Sequence, residues 1–313
     1  MATLRGRQGV GGGVPQVAPV MVALAAAAAT ELLILRTFTR TAIHIPALEV
    51  MREPYEALAF VGRYAYFLSV ALLVLALPTL AYGLARDGRR GWPLAVAGIG
   101  VFGVAAGAAA AGLAGRLPLD LATLLAVVLL VGALSCRWNV AATLPFAMLG
   151  VAFVTNGGYT VLQSAGQQGA GPADAAWLLT VGEYSGALFA LGLPLVVSRR
   201  IDRVSAATGI LVGLLAFGMF IGGGAATSRF LLLWNEGLSG TLPATVYAAA
   251  AGALALTFVA LLRSQQVVAA MGAVLLVAGG VGLHNTYQTG LVVAGLAALC
   301  LAGGGGAAKE AGG

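Results

Sequence analysis

The chain has 313 residues, of which 60% are hydrophobic and only 9% charged, against roughly 25% charged in soluble domains. That balance excludes an ordinary soluble enzyme. The net charge of +6 rests on arginines set at the ends of apolar stretches, which is a pattern of membrane topology rather than of a nucleic-acid surface.

The apolar stretches recur near 17–35, 64–85, 93–115, 118–136, 140–162, 175–197, 205–227, 243–262, 267–283 and 289–303. A bilayer core about 30 Å thick is crossed by roughly 20 helical residues. Lipid offers exposed backbone groups no partner, so helices satisfy them internally. The pattern predicts an all-α fold, a polytopic membrane helix bundle of about ten transmembrane helices, with 17–303 as a single domain. Residues 1–16 and 304–313 read as disordered cytoplasmic tails.

Arg5 and Arg7 precede the first stretch as in a signal peptide, but Leu32-Leu33-Ile34-Leu35 carries it past any cleavage point, so an uncleaved helix is expected. At the other end, 267–303 forms either one long helix, giving nine crossings, or two short ones. The insert His284-Asn285-Thr286-Tyr287-Gln288 reads as the turn between two. The longest inter-span segment, 36–63, leaves no room for a soluble domain.

Charge sets the orientation. With the N-terminus inside, the inner loops and tails receive Arg5, Arg7, Arg86, Arg89, Arg90, Arg137, Arg199, Arg200, Arg203, Arg263 and Lys309. The outer side receives the smaller set, Arg36, Arg40, Arg52, Arg63, Arg116 and Arg229. The positive-inside rule therefore favours N-in and C-in, and Trp92, Trp138, Trp177 and Trp234 sit where interfacial anchors belong. The preference for Arg over Lys, with abundant Ala, Gly and Val, points to a high-GC prokaryote and its cytoplasmic (inner) membrane.

Most unusual polar residues then fall on the outer side. The first outer loop holds His44, Glu49, Arg52, Glu53 and Glu56, and the fifth span ends in Asn156-Gly157-Gly158-Tyr159 and Gln163. The fourth outer loop holds Arg229 and Trp234-Asn235-Glu236, and the last turn holds His284, Asn285, Tyr287 and Gln288. Within spans, the carboxylates are Glu31, roughly 6 Å from the outer helix end, and Glu183, roughly 12 Å in. A carboxylate facing hydrocarbon costs at least about 2.5 kcal/mol, so Glu183 is expected to face the bundle interior. Its companions Gly182, Tyr184 and Ser185 offer space and hydroxyl partners.

Glu31, Asn156, Tyr159, Glu183, Glu236, Asn285, Tyr287 and Gln288 form the candidate substrate or ion site. Asn156 to Tyr159 also offers a place where the fifth helix would break and bare its carbonyls, as transporter helices do. The segment Phe230 to Trp234 is too short to cross and reads as interfacial or re-entrant. His44 and His284, both outer, form a candidate metal pair for haem or copper. Cys136 and Cys300 read as small buried residues of the spans. Walker A, Gly-x-Ser-x-Gly, Cys-x-x-Cys-His and His-Glu-x-x-His motifs are all missing.

The leading expectation is a small secondary transporter with an outward-facing polar site for a small molecule or ion, embedded in the lipid bilayer and without a nucleic-acid partner. Ten spans permit a five-plus-five inverted repeat, which would pair Glu31 with Glu183 in the first helix of each half. Two other readings stay open: a membrane redox or metal subunit using the two histidines, and an integral-membrane enzyme acting on a lipid-linked substrate.

Overall fold

A computed structural model describes residues 14–31, 52–138, 140–166, 176–222, 243–279 and 286–302. These residues form ten α-helices and a single 3-10 turn, with no strand among them. In chain order the helices are α1 (Val14–Glu31), α2 (Arg52–Asp87), α3 (Trp92–Ala110), α4 (Arg116–Ser135) and α5 (Val140–Gly166). There follow α6 (Ala176–Val196), α7 (Arg203–Gly222), α8 (Ala244–Arg263), α9 (Val267–Gly279) and α10 (Thr286–Ala302). Each falls on one of the apolar stretches, in order.

Four helices carry segments long and apolar enough to cross a bilayer: Phe60–Asp87, Trp92–Ala110, Leu117–Ser135 and Thr245–Arg263. Val17–Glu31, Thr180–Val196, Arg203–Gly218, Val267–Leu276 and Tyr287–Ala302 are shorter apolar helices. Large apolar side chains such as Val104, Leu188, Ile210 and Leu214 are exposed on the outer helix faces. A surface of that kind suits lipid and not water.

Two local expectations change. Helix α2 begins at Arg52, so Arg52, Glu53 and Glu56 lie on a helix and not in a loop. Its only proline before residue 78 is Pro54, in the first turn, where the missing N–H costs nothing. Helix α5 runs unbroken through Asn156-Gly157-Gly158-Tyr159, because glycine weakens a helix by only about 1 kcal/mol and a packed neighbour offsets it. That neighbour is α6, whose Leu178 reaches toward Gly158.

The 267–302 stretch folds back on itself as α9 and α10. A Cβ at Gly272 would lie 3.0 Å from the Gly295 carbonyl, and one at Gly279 would lie 2.8 Å from the Gln288 carbonyl. The small residues let these backbones touch. The tightest packing is between consecutive helices: α1 with α2, α3 with α4, α5 with α6, α7 with α8 and α9 with α10. Helix α10 is the core: every residue from Tyr287 to Leu301 is buried, against α2, α3, α4 and α9. A helix apolar on all sides is stable only when surrounded.

The helices alternate in direction. Gly83 meets Val17 and Leu301, and Arg137 reaches the carbonyls of Arg90 and Cys300, so these positions share one end of the bundle. Antiparallel α9 and α10 bring Val267, and with it Arg263, to that same end. We call it the arginine end.

The two halves do not pack alike. Helices α1 and α2 form a tight pair, yet their counterparts in a five-helix repeat, α6 and α7, are not closely packed among the described residues. Instead α4, α5, α6, α8, α9 and α10 each pack on two neighbours around a closed circuit that no closely packed pair crosses.

Candidate functional site

Helical register places most of the buried polar side chains at a common depth, while Thr143, Ser205 and Thr257 lie nearer the arginine end. The Cys300 thiol donates to the Leu130 carbonyl at 3.5 Å, and α4 and α10 run in the same direction, so Asp120 lies level with Gly290. Tyr66 meets Tyr287 edge-on at 5.1 Å, which sets Ser69 of α2 near the level of Thr289. Gly83 against Val17 then brings Glu31 level with Ser69 across the α1–α2 hairpin. On the other side, Gly150 meets Val127 and Gly192 meets Pro145, so Thr155 and Glu183 come level with Thr123. At about 1.5 Å per residue, these groups fall within about two helical turns of one another, away from the arginine end.

Burial agrees with this layer. Glu31 is 8% exposed, Asp120 9%, Glu183 5%, Tyr287 7% and Gln288 2%. Ser69, Thr123 and Thr155 turn their hydroxyls back onto carbonyls of their own helices, which satisfies them locally.

Helix phase gives the direction of the rest. Glu183 lies about half a turn from Gly192, the residue that meets Pro145 of α5, so it stands on the face of α6 turned away from α5. Gln288 lies roughly opposite Gly290, which meets Leu73 of α2 and Phe102 of α3, and so turns toward the circuit. Asp120 shares a helical face with Val127, one heptad on, and Val127 meets α5. Three members of the layer, Asp120, Glu183 and Gln288, thus belong to the six-helix circuit at one depth.

Three helices of the same circuit line a cavity of about 210 Å³: Leu193 of α6, Leu254, Thr257 and Phe258 of α8, and Ala273 and Val274 of α9. Leu254 and Phe258 lie on the side of α8 away from Ala248 and Gly252, the residues that meet α7. The cavity is apolar apart from Thr257. Tyr247, two to three turns back along α8 from the cavity, comes level with Glu183 on α6.

Of the residues anticipated as a site, Glu31, Glu183, Tyr287 and Gln288 are buried in the layer, and Tyr159 is half-buried. Asn156 lies within the continuous α5. His44, His284, Asn285, Glu236, Arg229, Trp234 and Asn235 lie outside the described residues. No cluster of three metal-ligating side chains occurs among the described residues.

Sequence reasoning passed over Asp120 and Tyr247. Asp120 was visible: it sits inside the stretch 118–136, yet only Glu31 and Glu183 stood out there as buried carboxylates. Tyr247 carried no signal, being one aromatic in an alanine-rich helix.

The arginine end is also more structured than a row of topological charges. Arg137, with its side chain only 3% exposed, makes an ion pair with Asp87 at 3.3 Å. It also donates from Nε to the Arg90 carbonyl at 3.2 Å and from Nη1 to the Cys300 carbonyl. Asp87 in turn pairs with Arg89 at 2.9 Å. One guanidinium thereby joins the C-terminal ends of α2, α4 and α10, where the helix dipoles are negative. The intervening turn needs left-handed backbone at Gly88 and Gly91, with φ of +61° and +84°, and a Cβ at Gly91 would lie 2.8 Å from the Ala133 carbonyl.

A second junction ties the α6–α7 turn to α8. The Asp202 carboxylate accepts the Ser205 N–H at 2.8 Å, and the Ser205 hydroxyl accepts the Asp202 N–H at 2.9 Å, a reciprocal cap on α7. Arg263 donates to the other carboxylate oxygen at 2.5 Å, and Arg200 donates to Ser264 at 3.4 Å. The Ser205 hydrogen bonds, then Arg263, hold the Asp202 carboxyl down at about 2. Compared with known protein families, curated proteins and solved structures, the chain matches none of them.

Proposed function

We propose that the protein is a small secondary transporter whose ten helices all cross a prokaryotic cytoplasmic membrane, with the arginine end and both termini in the cytoplasm. Its substrate or coupling ion, a proton or small cation, binds at the layer of Asp120, Glu183 and Gln288 in the outward half of the six-helix circuit. The observation that carries this reading is the placement of two buried carboxylates at one depth on a circuit of helices that no closely packed pair crosses. Carboxylates at membrane depth are costly and are kept where they hold ions or protons. Substrate and coupling-ion sites of secondary transporters lie at membrane depth between helices. Glu183 takes and releases the cation, Asp120 supplies a second acceptor, and Gln288 orients the bound species.

The test is proton movement in liposomes holding the purified protein and a pH-sensitive dye, driven by a potassium diffusion potential. Flux above that of empty liposomes, lost in Glu183→Gln, is the expected result. Equal flux in protein-free, wild-type and variant liposomes would overturn the proton-coupled reading, and the same assay with sodium-selective dye checks the cation arm.

A further inference from the structure

A second binding surface lies at the arginine end, outside the circuit. Helices α6 and α7 both pack on α8 but are not a closely packed pair, although only a short turn joins them. Leu188, Leu191 and Leu195 of α6 and Ile210, Leu211 and Leu214 of α7 are exposed on the outward faces of the two helices. At the arginine end of these helices the turn and the end of α8 present Arg199, Arg200, Arg203 and Arg263 against one carboxylate, Asp202. Arg263 and Asp202 remain 52% and 40% exposed even while paired, and Arg199 and Arg203 are exposed.

We propose that this surface binds an anionic phospholipid of the adjoining leaflet, with the phosphate on the arginine turn and acyl chains along the exposed apolar faces of α6 and α7. Charge complementarity selects the occupant: four guanidiniums face one carboxylate, and arginine's planar fork matches phosphate oxygens in pairs. Exposed apolar helix faces that meet a basic turn are the arrangement that retains acidic lipids at a membrane helix surface. Zwitterionic lipids offer the same chains without the net charge. The proposal requires membrane residence and is independent of transport.

Native mass spectrometry of the detergent-purified protein, titrated with equal phosphatidylglycerol and phosphatidylcholine, tests it. Wild type should retain phosphatidylglycerol at least about 10-fold over phosphatidylcholine, a preference worth about 1.4 kcal/mol. Arg199→Gln/Arg200→Gln/Arg203→Gln should lose that preference. Arg203→Gln alone, an exposed change that leaves the Asp202 cap in place, should lose part of it. Arg86→Gln/Arg90→Gln, at the same end but on the α2–α3 turn, should keep it. Equal retention of the two lipids by wild type, undiminished preference in both α6–α7 variants, or an equal loss in the α2–α3 variant would each overturn the site.

Discussion

Replacing Arg137 by Gln should weaken the bundle more than any other single charge removal at the arginine end. The guanidinium is 3% exposed and ties Asp87 and the carbonyls of Arg90 and Cys300 together. Removing one partner of a buried pair costs about 3–5 kcal/mol, mostly because the other is left unpaired. Asp87 keeps Arg89 at 2.9 Å and is 18% exposed, which puts the effect at the lower end, about 3 kcal/mol. At roughly 2–4 °C per kcal/mol for a chain of this size, Tm should fall by about 6–12 °C. Cys300, buried beside this junction, provides the assay. In a Cys136→Ser background, a fluorogenic maleimide reacts during heating only as α10 is exposed. Arg89→Gln, removing a part-exposed partner, should shift the curve by no more than the roughly 1 kcal/mol of a surface pair. A shift in Arg137→Gln no larger than that of Arg89→Gln would refute the idea that this guanidinium fastens three helix ends.

Further outcomes follow from the same geometry. A Cβ at Gly252 would lie 2.6 Å from the Gly209 carbonyl, so Gly252→Val should separate α7 from α8 and cost about 1–3 kcal/mol by overpacking, measured as a fall in Tm. The Asp202 carboxyl sits at about 2, below the ordinary carboxylate value of 3.8. A depressed carboxylate stabilises the folded state above its unfolded pKa and stops doing so as pH falls through its folded one. The Tm difference between wild type and Asp202→Asn should accordingly be present at neutral pH and close between about pH 4 and pH 2. A difference that persists below that range would mean the cap, and not the charge, does the stabilising. Native Cys136, expected from the sequence to be buried in its span, instead caps the end of α4 and is exposed at the arginine end, whereas Cys300 is buried as expected. An impermeant maleimide should therefore label Cys136 in inverted vesicles and not in whole cells, whereas Gln168→Cys should show the reverse. The opposite pattern would invert the proposed orientation.

What the sequence revealed and what it hid divide along a physical line. Hydrophobic length is a local property, so the ten apolar stretches marked the ten helices, and glycine pairs such as Gly272 and Gly295 were readable as sites of close approach once α9 and α10 were known to be antiparallel. The fate of Glu183 was also legible, because hydrocarbon penalises a carboxylate wherever the helix sits. Partner choice is not local. Nothing in the spacing of Asp87 and Arg137 announces that α2 and α4 end side by side, since the pair forms only when α3 returns the chain. Asn156-Gly157-Gly158 looked like a break because glycine propensity is local, whereas the contact with Leu178 that supports the helix comes from α6. The five-helix repeat rested on the placement of Glu31 and Glu183 along the chain, and spacing along the chain carries no information on which helices touch.

The distribution of polar groups gives the bundle a direction that hydropathy alone does not. At the arginine end, ion pairs and caps link turns across neighbouring hairpins: Asp87 to Arg137, and Asp202 to Arg263. Each joins elements far apart in sequence, so opening that end requires breaking charge-assisted contacts, of which the Arg137 pair is shielded from water and hence from screening by salt. In the opposite half, Ser69, Thr123 and Thr155 satisfy their hydroxyls within their own helices. Those helices do not depend on hydroxyl bonds to one another there, and can shift without orphaning these groups. The arginine end is thus the end held by charge-assisted contacts between elements distant in sequence. High salt should therefore loosen the Asp202–Arg263 link, 40% and 52% exposed, well before it affects Arg137. Thiol labelling of Cys300 should stay slow at ionic strengths that already erase the Asp202→Asn effect. Equal salt sensitivity of the two junctions would show that Arg137 is as open to water as the turn, and would remove the basis for a fixed end.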